Sequence, residues 1–299
     1  MSAIISIMDK FWSFVGQSDQ KRLATLPEPD TLTRVTDLRY LDDGDPMHML
    51  DVYYPKGTTE PLPVIIDVHG GGWMYGDKEL NRLYCLTLAS RGYTVFNMSY
   101  RLVPAVTVNE QLQDVMCALQ WIETHLGDYP CLTERILLTG DSAGGFLAGY
   151  AAALLSSKAL RRVFDTADCS LKLSMLALTS PVCYMDDKGV MGVYTRKMWG
   201  DNYKRKPTAP YMNISAMLRA GKLPPTFLVT SSGDFMALQQ TRRLAHELRG
   251  KGVEVDFMEF PPFEGENLPH VFSVIHPESE PARLTIDRML GMFDRIGPV

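Results

Sequence analysis

Apolar and polar positions along this chain follow two alternating periods. Short runs that are apolar almost throughout recur at Pro63–Val68, Tyr93–Met98, Ile136–Thr139, Leu173–Leu178, Thr226–Thr230 and Val253–Phe260. Such β-branched, nearly continuous runs predict strands buried on both faces. An earlier segment, Leu50–Tyr54, alternates apolar with polar residues and stops at Pro55-Lys56-Gly57, which predicts one more strand ahead of them. Between the runs the spacing lengthens to three and four residues. Leu112, Val115, Met116, Leu119, Ile122 and Leu126 mark one amphipathic helix, Ala143–Leu155 a second, and Thr241–Leu248 a third that Gly250 and Gly252 would end. Strand–helix alternation of this kind predicts an α/β fold, a mostly parallel central sheet flanked by helices.

Two segments stand outside the alternation. Near the start, Ile4, Ile5, Met8, Phe11, Trp12 and Val15 fall on one face of a predicted helix. That face either packs on the body of the domain or forms part of a cap, with Phe11, Trp12 and Phe14 lining a pocket. Its polar side lacks the Lys/Arg enrichment of a membrane-surface helix. Residues 183–224 have no clean period, are rich in Met, Tyr, Lys and Asn, and sit where a connecting helix is expected. They read as an insertion completing the cap, or as an irregular surface excursion holding one or two helices.

Composition narrows the partners more than the fold. The 299 residues carry a formal net charge of −5, with 45% hydrophobic and 22% charged residues, ordinary for a globular protein. No basic stripe is present, so nucleic acid is not an expected partner. No apolar run approaches the roughly 20 residues needed to cross a bilayer. The apolar start is interrupted by Asp9 and Lys10 without a basic lead, unlike a signal peptide. The five cysteines are scattered, which argues against a disulfide framework or a zinc site. A cytoplasmic protein without stable membrane association is the expectation.

The chemistry lies in two glycine-rich strings placed after predicted strands. Gly140-Asp141-Ser142-Ala143-Gly144 follows Ile136–Thr139 and precedes a helix, the strand–turn–helix context of a nucleophile elbow with Ser142 at its apex. His69-Gly70-Gly71-Gly72-Trp73 follows Pro63–Val68 and offers backbone N–H groups to a developing negative charge. A serine hydroxyl needs a base and a group that orients the base. Asp234 follows the strand at Thr226–Thr230; as a common cap residue it also suits the start of the next helix. Asp256, inside a strand, and Glu264 and Glu266, in a loop too near the histidine, compete less well. His270 ends the loop after Phe260, and His276 is the other histidine beyond that strand.

The order Ser142, Asp234, His270 is that of the α/β-hydrolases. With His69-Gly70-Gly71-Gly72, Gly140-Asp141-Ser142-Ala143-Gly144, Tyr100-Arg101-Leu102 and a late His-x-Phe, the chain resembles the hormone-sensitive-lipase-like esterases from about Leu50 onward. The resemblance implies an α/β-hydrolase fold, with residues 1–45 as N-terminal cap segment and lead-in and 46–299 as catalytic domain, its cap insertion at about 183–224. It implies Ser142 as nucleophile, His270 as base and Asp234 as orienting acid. Gly71, Gly72 and Ala143 would supply the oxyanion hole, and His69 a structural prop for the loop. Trp73, Phe11 and Trp12 are the candidate substrate contacts. Two features depart from the family pattern: Ala105 stands where Glu is common, and the loop before His270 is long.

The expected reaction is hydrolysis of a short- to medium-chain acyl or acetyl ester through an acyl-enzyme, needing no metal or organic cofactor. The expected partner is thus a small-molecule ester, and a homodimer is compatible with the sequence. Two other classes share the fold: a non-catalytic small-molecule receptor, and an amidase or peptidase. Retention of both Ser142 and His270 speaks against the first, and the lack of room for a further substrate domain against the second.

Overall fold

In the computed structural model, which describes residues 10, 12, 15–19, 21–24, 29–185 and 189–298, eight strands form one sheet. They are β1 (Leu32–Arg39), β2 (Met49–Pro55), β3 (Leu62–Val68), β4 (Thr94–Met98), β5 (Cys131–Asp141), β6 (Met175–Thr179), β7 (Thr226–Ser231) and β8 (Val255–Phe260). Their spatial order is β1-β2-β4-β3-β5-β6-β7-β8. β2 pairs antiparallel with both its neighbours, and all other pairs from β4 to β8 are parallel.

The apolar runs are continuous because helices cover both faces. Val64, Ile66 and Val68 of β3 enter one core cluster and Ile65 the other; Ile136 and Leu138 of β5 are likewise separated from Leu137. α1 (Arg82–Ala89) and α9 (Glu280–Arg295) cover one face, whereas α2 (Val108–His125), α3 (Ser142–Leu155), α4 (Lys158–Phe164) and α7 (Leu238–Arg249) supply the other. At the start of α2, Thr107 and Glu110 form a reciprocal cap, the Thr107 N–H donating to Glu110 Oε2 at 2.7 Å.

The structure adds elements that the hydrophobic pattern does not announce. β1 is an edge strand in which only Leu32 is fully buried, so its residues carry no strong period. α1 and α4 also lie outside the predicted set. Residues 183–224, aperiodic in sequence, hold α5 (Gly189–Trp199), α6 (Ile214–Ala220) and two single 3₁₀ turns. The C-terminal helical stretch is interrupted: α8 (Phe272–Ile275) ends at His276, and α9 begins four residues later.

One close approach positions the site. The first turn of α3 runs against the end of β3, where a Cβ on Gly144 would lie 2.0 Å from the Val68 carbonyl oxygen and 2.3 Å from that of His69. Only a glycine lets the serine-bearing helix and the glycine loop meet at this distance.

Candidate active site

Ser142 lies where β5 turns into α3 and adopts a left-handed backbone, φ 51°. That conformation is uncommon for a residue with a Cβ, and here it lifts the side chain out of the turn. Ser142 Oγ is 2.8 Å from His270 Nε2, and His270 Nδ1 is 2.9 Å from Asp234 Oδ2. A carboxylate only accepts, so Nδ1 carries the ring proton and Nε2 accepts from the serine hydroxyl.

Asp234 follows β7 and is 1% exposed. Its two oxygens divide the work that the sequence left open. Oδ1 accepts the N–H groups of Met236 (3.1 Å) and Ala237 (2.9 Å), closing the turn before α7; Oδ2 faces His270 and the Thr230 hydroxyl, which donates at 3.2 Å. Burial works against its charge, but the hydrogen bond and charge of His270, with further donors, hold the carboxyl at about 2. Behind it, the Ser180 hydroxyl donates to Thr230 Oγ1 at 3.3 Å.

His270 ends the largely exposed loop 261–269, which the Ser231 hydroxyl fastens through the Leu268 carbonyl at 2.7 Å. The next residue, Val271, has φ 50°, a genuine outlier for a β-branched side chain. His276 stands apart, half-exposed, with Glu278 as its partner. Asp256 pairs with Arg288 on the edge strand, and Glu266 bridges Phe263 within the loop.

The glycine loop turns through three successive positive-φ residues: Gly71 at 102°, Gly72 at 57° and Trp73 at 64°. Its start is held by Asp141, whose Oδ1 accepts the Gly70 N–H at 2.9 Å. Its end is held at the Trp73 carbonyl, which accepts from Val103 N–H at 2.9 Å and from Gln111 Nε2 at 2.8 Å. Among the described residues, no acceptor takes the N–H groups of Gly71, Gly72 or Ala143. His69 is fully buried beneath the loop, stacked on Tyr100 at 4.3 Å, its Nδ1 donating to the Gly70 carbonyl at 2.8 Å. Burial holds its imidazole down at about 4, so the ring is uncharged.

Aromatic side chains close over this loop from two directions. Trp73 is buried, edge-on to Phe146 and Tyr194, and the Tyr194 hydroxyl donates to the Gly72 carbonyl. α5 therefore touches the loop directly. The Trp12 ring lies so close to Gly72 that a Cβ there would be 2.0 Å from it, and it stacks on Tyr75. Tyr75 donates to Asp19 at 3.2 Å, and Arg22 reaches across to the Ile275 carbonyl at 2.7 Å. Phe11 and Phe14 lie outside the described residues.

Sequence reasoning missed the residues that support these parts. Ala105 is exposed, and Val103 and Gln111 hold the Trp73 carbonyl. Gln111 is fully buried beside Leu112 on the apolar stripe of α2; a polar residue on that stripe was the available signal. Thr230, Ser180 and Asn81 carried none.

Known proteins resemble the chain in the same parts. The family described as BD-FAE matches residues 50–188. Esterase B from Lactobacillus rhamnosis, solved with a C6-C4 SN3 inhibitor, superposes with a TM-score of 0.91 at 32% identity, covering 99% of this chain and 97% of that one. Versiconal hemiacetal acetate esterase of Dothistroma septosporum is 35% identical over 98 residues, 32% of this chain and 30% of that protein. A probable isoprenylcysteine alpha-carbonyl methylesterase of Arabidopsis thaliana is 34% identical over 106 residues, 35% of this chain and 22% of its own length. These two curated relatives are thus matched over less than a third of their length. A bacterial heroin esterase shares the fold at a TM-score of 0.71 and 23% identity, covering 95% of this chain and 90% of that one. Sheet order, serine elbow and full-length likeness converge: the chain belongs to the hormone-sensitive-lipase-like esterases of the α/β-hydrolase fold.

Proposed function

We propose that the chain is a serine carboxylesterase acting on short- to medium-chain acyl or acetyl esters. The observation that carries this reading is the hydrogen-bonded line Ser142 Oγ, His270, Asp234, with separations of 2.8 and 2.9 Å. His270 Nε2 takes the proton of Ser142 as its oxygen attacks the ester carbonyl. Asp234 keeps the proton on Nδ1 and stabilises the imidazolium that forms. The N–H groups of Gly71, Gly72 and Ala143 receive the oxyanion. His270 then protonates the leaving alcohol, and water clears the acyl-enzyme by the same steps. No step calls on a metal or organic cofactor.

The N-terminal segment through Trp12 and the 183–224 segment through α5 act as the cap, with Trp73 and Trp12 beside the substrate. Their contacts with Gly72 support this, because both segments meet on the loop that would bind the oxyanion. Aromatic side chains crowd the glycine loop, which favours a small acyl group, and the full-length likeness is to an esterase solved with C6-C4 and C4-C4 SN3 inhibitors. Five free thiols suit a reducing cytoplasm. No described helix is long and apolar enough to cross a membrane.

Turnover of p-nitrophenyl esters from acetate to palmitate tests both halves of the proposal. Activity highest on acetate to hexanoate, and abolished in Ser142→Ala with the melting temperature retained, is the expected result. Maximal turnover on palmitate would overturn the short-chain reading, and near-normal activity of Ser142→Ala would overturn the nucleophile.

A further inference from the structure

Asn81 closes the 3₁₀ turn Lys78–Asn81 that follows the glycine loop, and it is 2% exposed. Its side-chain amide donates in two directions, to Asp67 Oδ2 at 2.9 Å and to Asp141 Oδ1 at 2.8 Å. The two acceptors sit at the functional ends of neighbouring strands. Asp67 lies on β3 two residues before His69, and Asp141 is the last residue of β5, adjacent to Ser142. The same Asp141 oxygen accepts the Gly70 N–H at 2.9 Å. One amide group thus joins the strand that feeds the glycine loop to the strand that feeds the serine.

The chemistry of this joint is specific. Two carboxyl groups with 1% and 4% exposure stand on either side of Asn81. Burial first, and the charge of Asp141 second, push Asp67 up to about 8, so it stays protonated near neutrality. Burial raises Asp141 as well, opposed by hydrogen bonds from Asn81 and Gly70. A neutral side chain with two N–H groups satisfies both acceptors without adding charge. An apolar residue would leave them short of donors, and a buried unsatisfied polar group carries a penalty of about 1–3 kcal/mol.

We propose that Asn81 is a positioning residue for the oxyanion-binding loop. Its amide holds the Asp141 side chain where it grips the Gly70 N–H, and this sets the distance of the Gly71 and Gly72 N–H groups from Ser142. The inference rests on the esterase reading above. Oxyanion donors work only within about 2.7–3.1 Å of the charge they stabilise, so a small drift of the loop weakens the transition state more than the bound substrate.

The test compares wild type and Asn81→Ala in p-nitrophenyl acetate hydrolysis, with active serine titrated by diethyl p-nitrophenyl phosphate. The expected result is a fall in kcat of about 10- to 100-fold, at or below the ~10²–10³-fold cost of losing one oxyanion donor outright, because the donors are displaced and not removed. KM should change by less than about threefold and the final titre of phosphorylated serine should be retained, as expected for an interaction made in the transition state. A normal kcat in Asn81→Ala, or a loss confined to KM, overturns the proposal. A wild type that neither turns over nor titrates would instead overturn the esterase reading. Asn81→Asp gives a second readout if the alanine variant does not fold. A third carboxyl group beside Asp141 repels it once ionised, so kcat relative to wild type should fall from about pH 6 to about pH 9. A flat ratio across that range also overturns the proposal.

Discussion

The serine end and the histidine end of the proposed machinery are held by different physics. Around Ser142, position is a consequence of core packing: α3 is buried along nearly its whole length, and Gly144 leaves no space for a methyl group against β3. Around His270, position depends on a few local fastenings: the Ser231–Leu268 hydrogen bond, the Asp234 contact and a strained Val271, within a loop that is otherwise mostly exposed. Geometry at the first end cannot change without loss of stability, whereas at the second it can be altered nearly alone.

The largest expected effect breaks chemistry at the histidine end. His270→Gln should lower kcat on the order of 10⁴-fold or more, with only a modest fall in melting temperature, because the ring is partly exposed and the glutamine amide can still donate to the buried Asp234. A matching collapse in thermal stability, read by calorimetry, would contradict the contrast between the two ends. Gly144→Ala should do the reverse. Its methyl would enter the space of the Val68 carbonyl, so destabilisation should reach at least the ~3 kcal/mol upper range for overpacking, read by urea unfolding.

The pH dependence of stability sharpens the same comparison, since Asp67 and Asp234 shift in opposite directions. Asp234 is held at about 2 in the folded chain, below its unfolded value, so its stabilising contribution is present above the unfolded value and disappears as pH falls toward 2. Asp67 is raised to about 8; the folded state binds the extra proton, so stability declines as pH rises from about 4 toward about 8. Asp67→Asn removes that decline, and its melting temperature relative to wild type should climb steadily over this range. A constant difference would show that Asp67 does not titrate there.

The smallest effect concerns Val271. Val271→Gly relieves a left-handed backbone worth roughly 1–3 kcal/mol of strain, but the unfolded glycine is more flexible by about 1 kcal/mol and the burial of the Val271 side chain, worth about 1.5–3 kcal/mol, is lost. The net change in stability should be a loss of about 1 kcal/mol in urea unfolding, because the relieved strain offsets most of the lost burial, accompanied by a few-fold loss of kcat as the His270 loop loosens. Unchanged kcat would show that this strain plays no part in placing the base.

Legibility followed sequence distance. The strands β3 to β8 could be read because burial on both faces makes them apolar throughout; β1, an edge strand with one fully buried residue, could not. Ser142 and Asp234 were named because each stands just beyond a strand, where the local pattern already says strand end, and His270 because it ends the loop after the next strand. The supports were invisible for the opposite reason. Asn81 meets Asp141 across 60 positions with nothing local to mark it, and Gln111 meets the Trp73 carbonyl across 38, where its polarity on an apolar stripe marks the residue but not its partner.

By itself the sequence determined which strands form the core, where the chain must turn, and which residue types stand at the turns, because period, glycine and strand ends are local properties. Tertiary structure decided how those turns face one another: which histidine reaches Ser142, which oxygen of Asp234 it meets, and how Trp12 and Tyr194 come to rest on Gly72. These are distances between segments far apart in the chain, and only the packing of the sheet and its helices sets them.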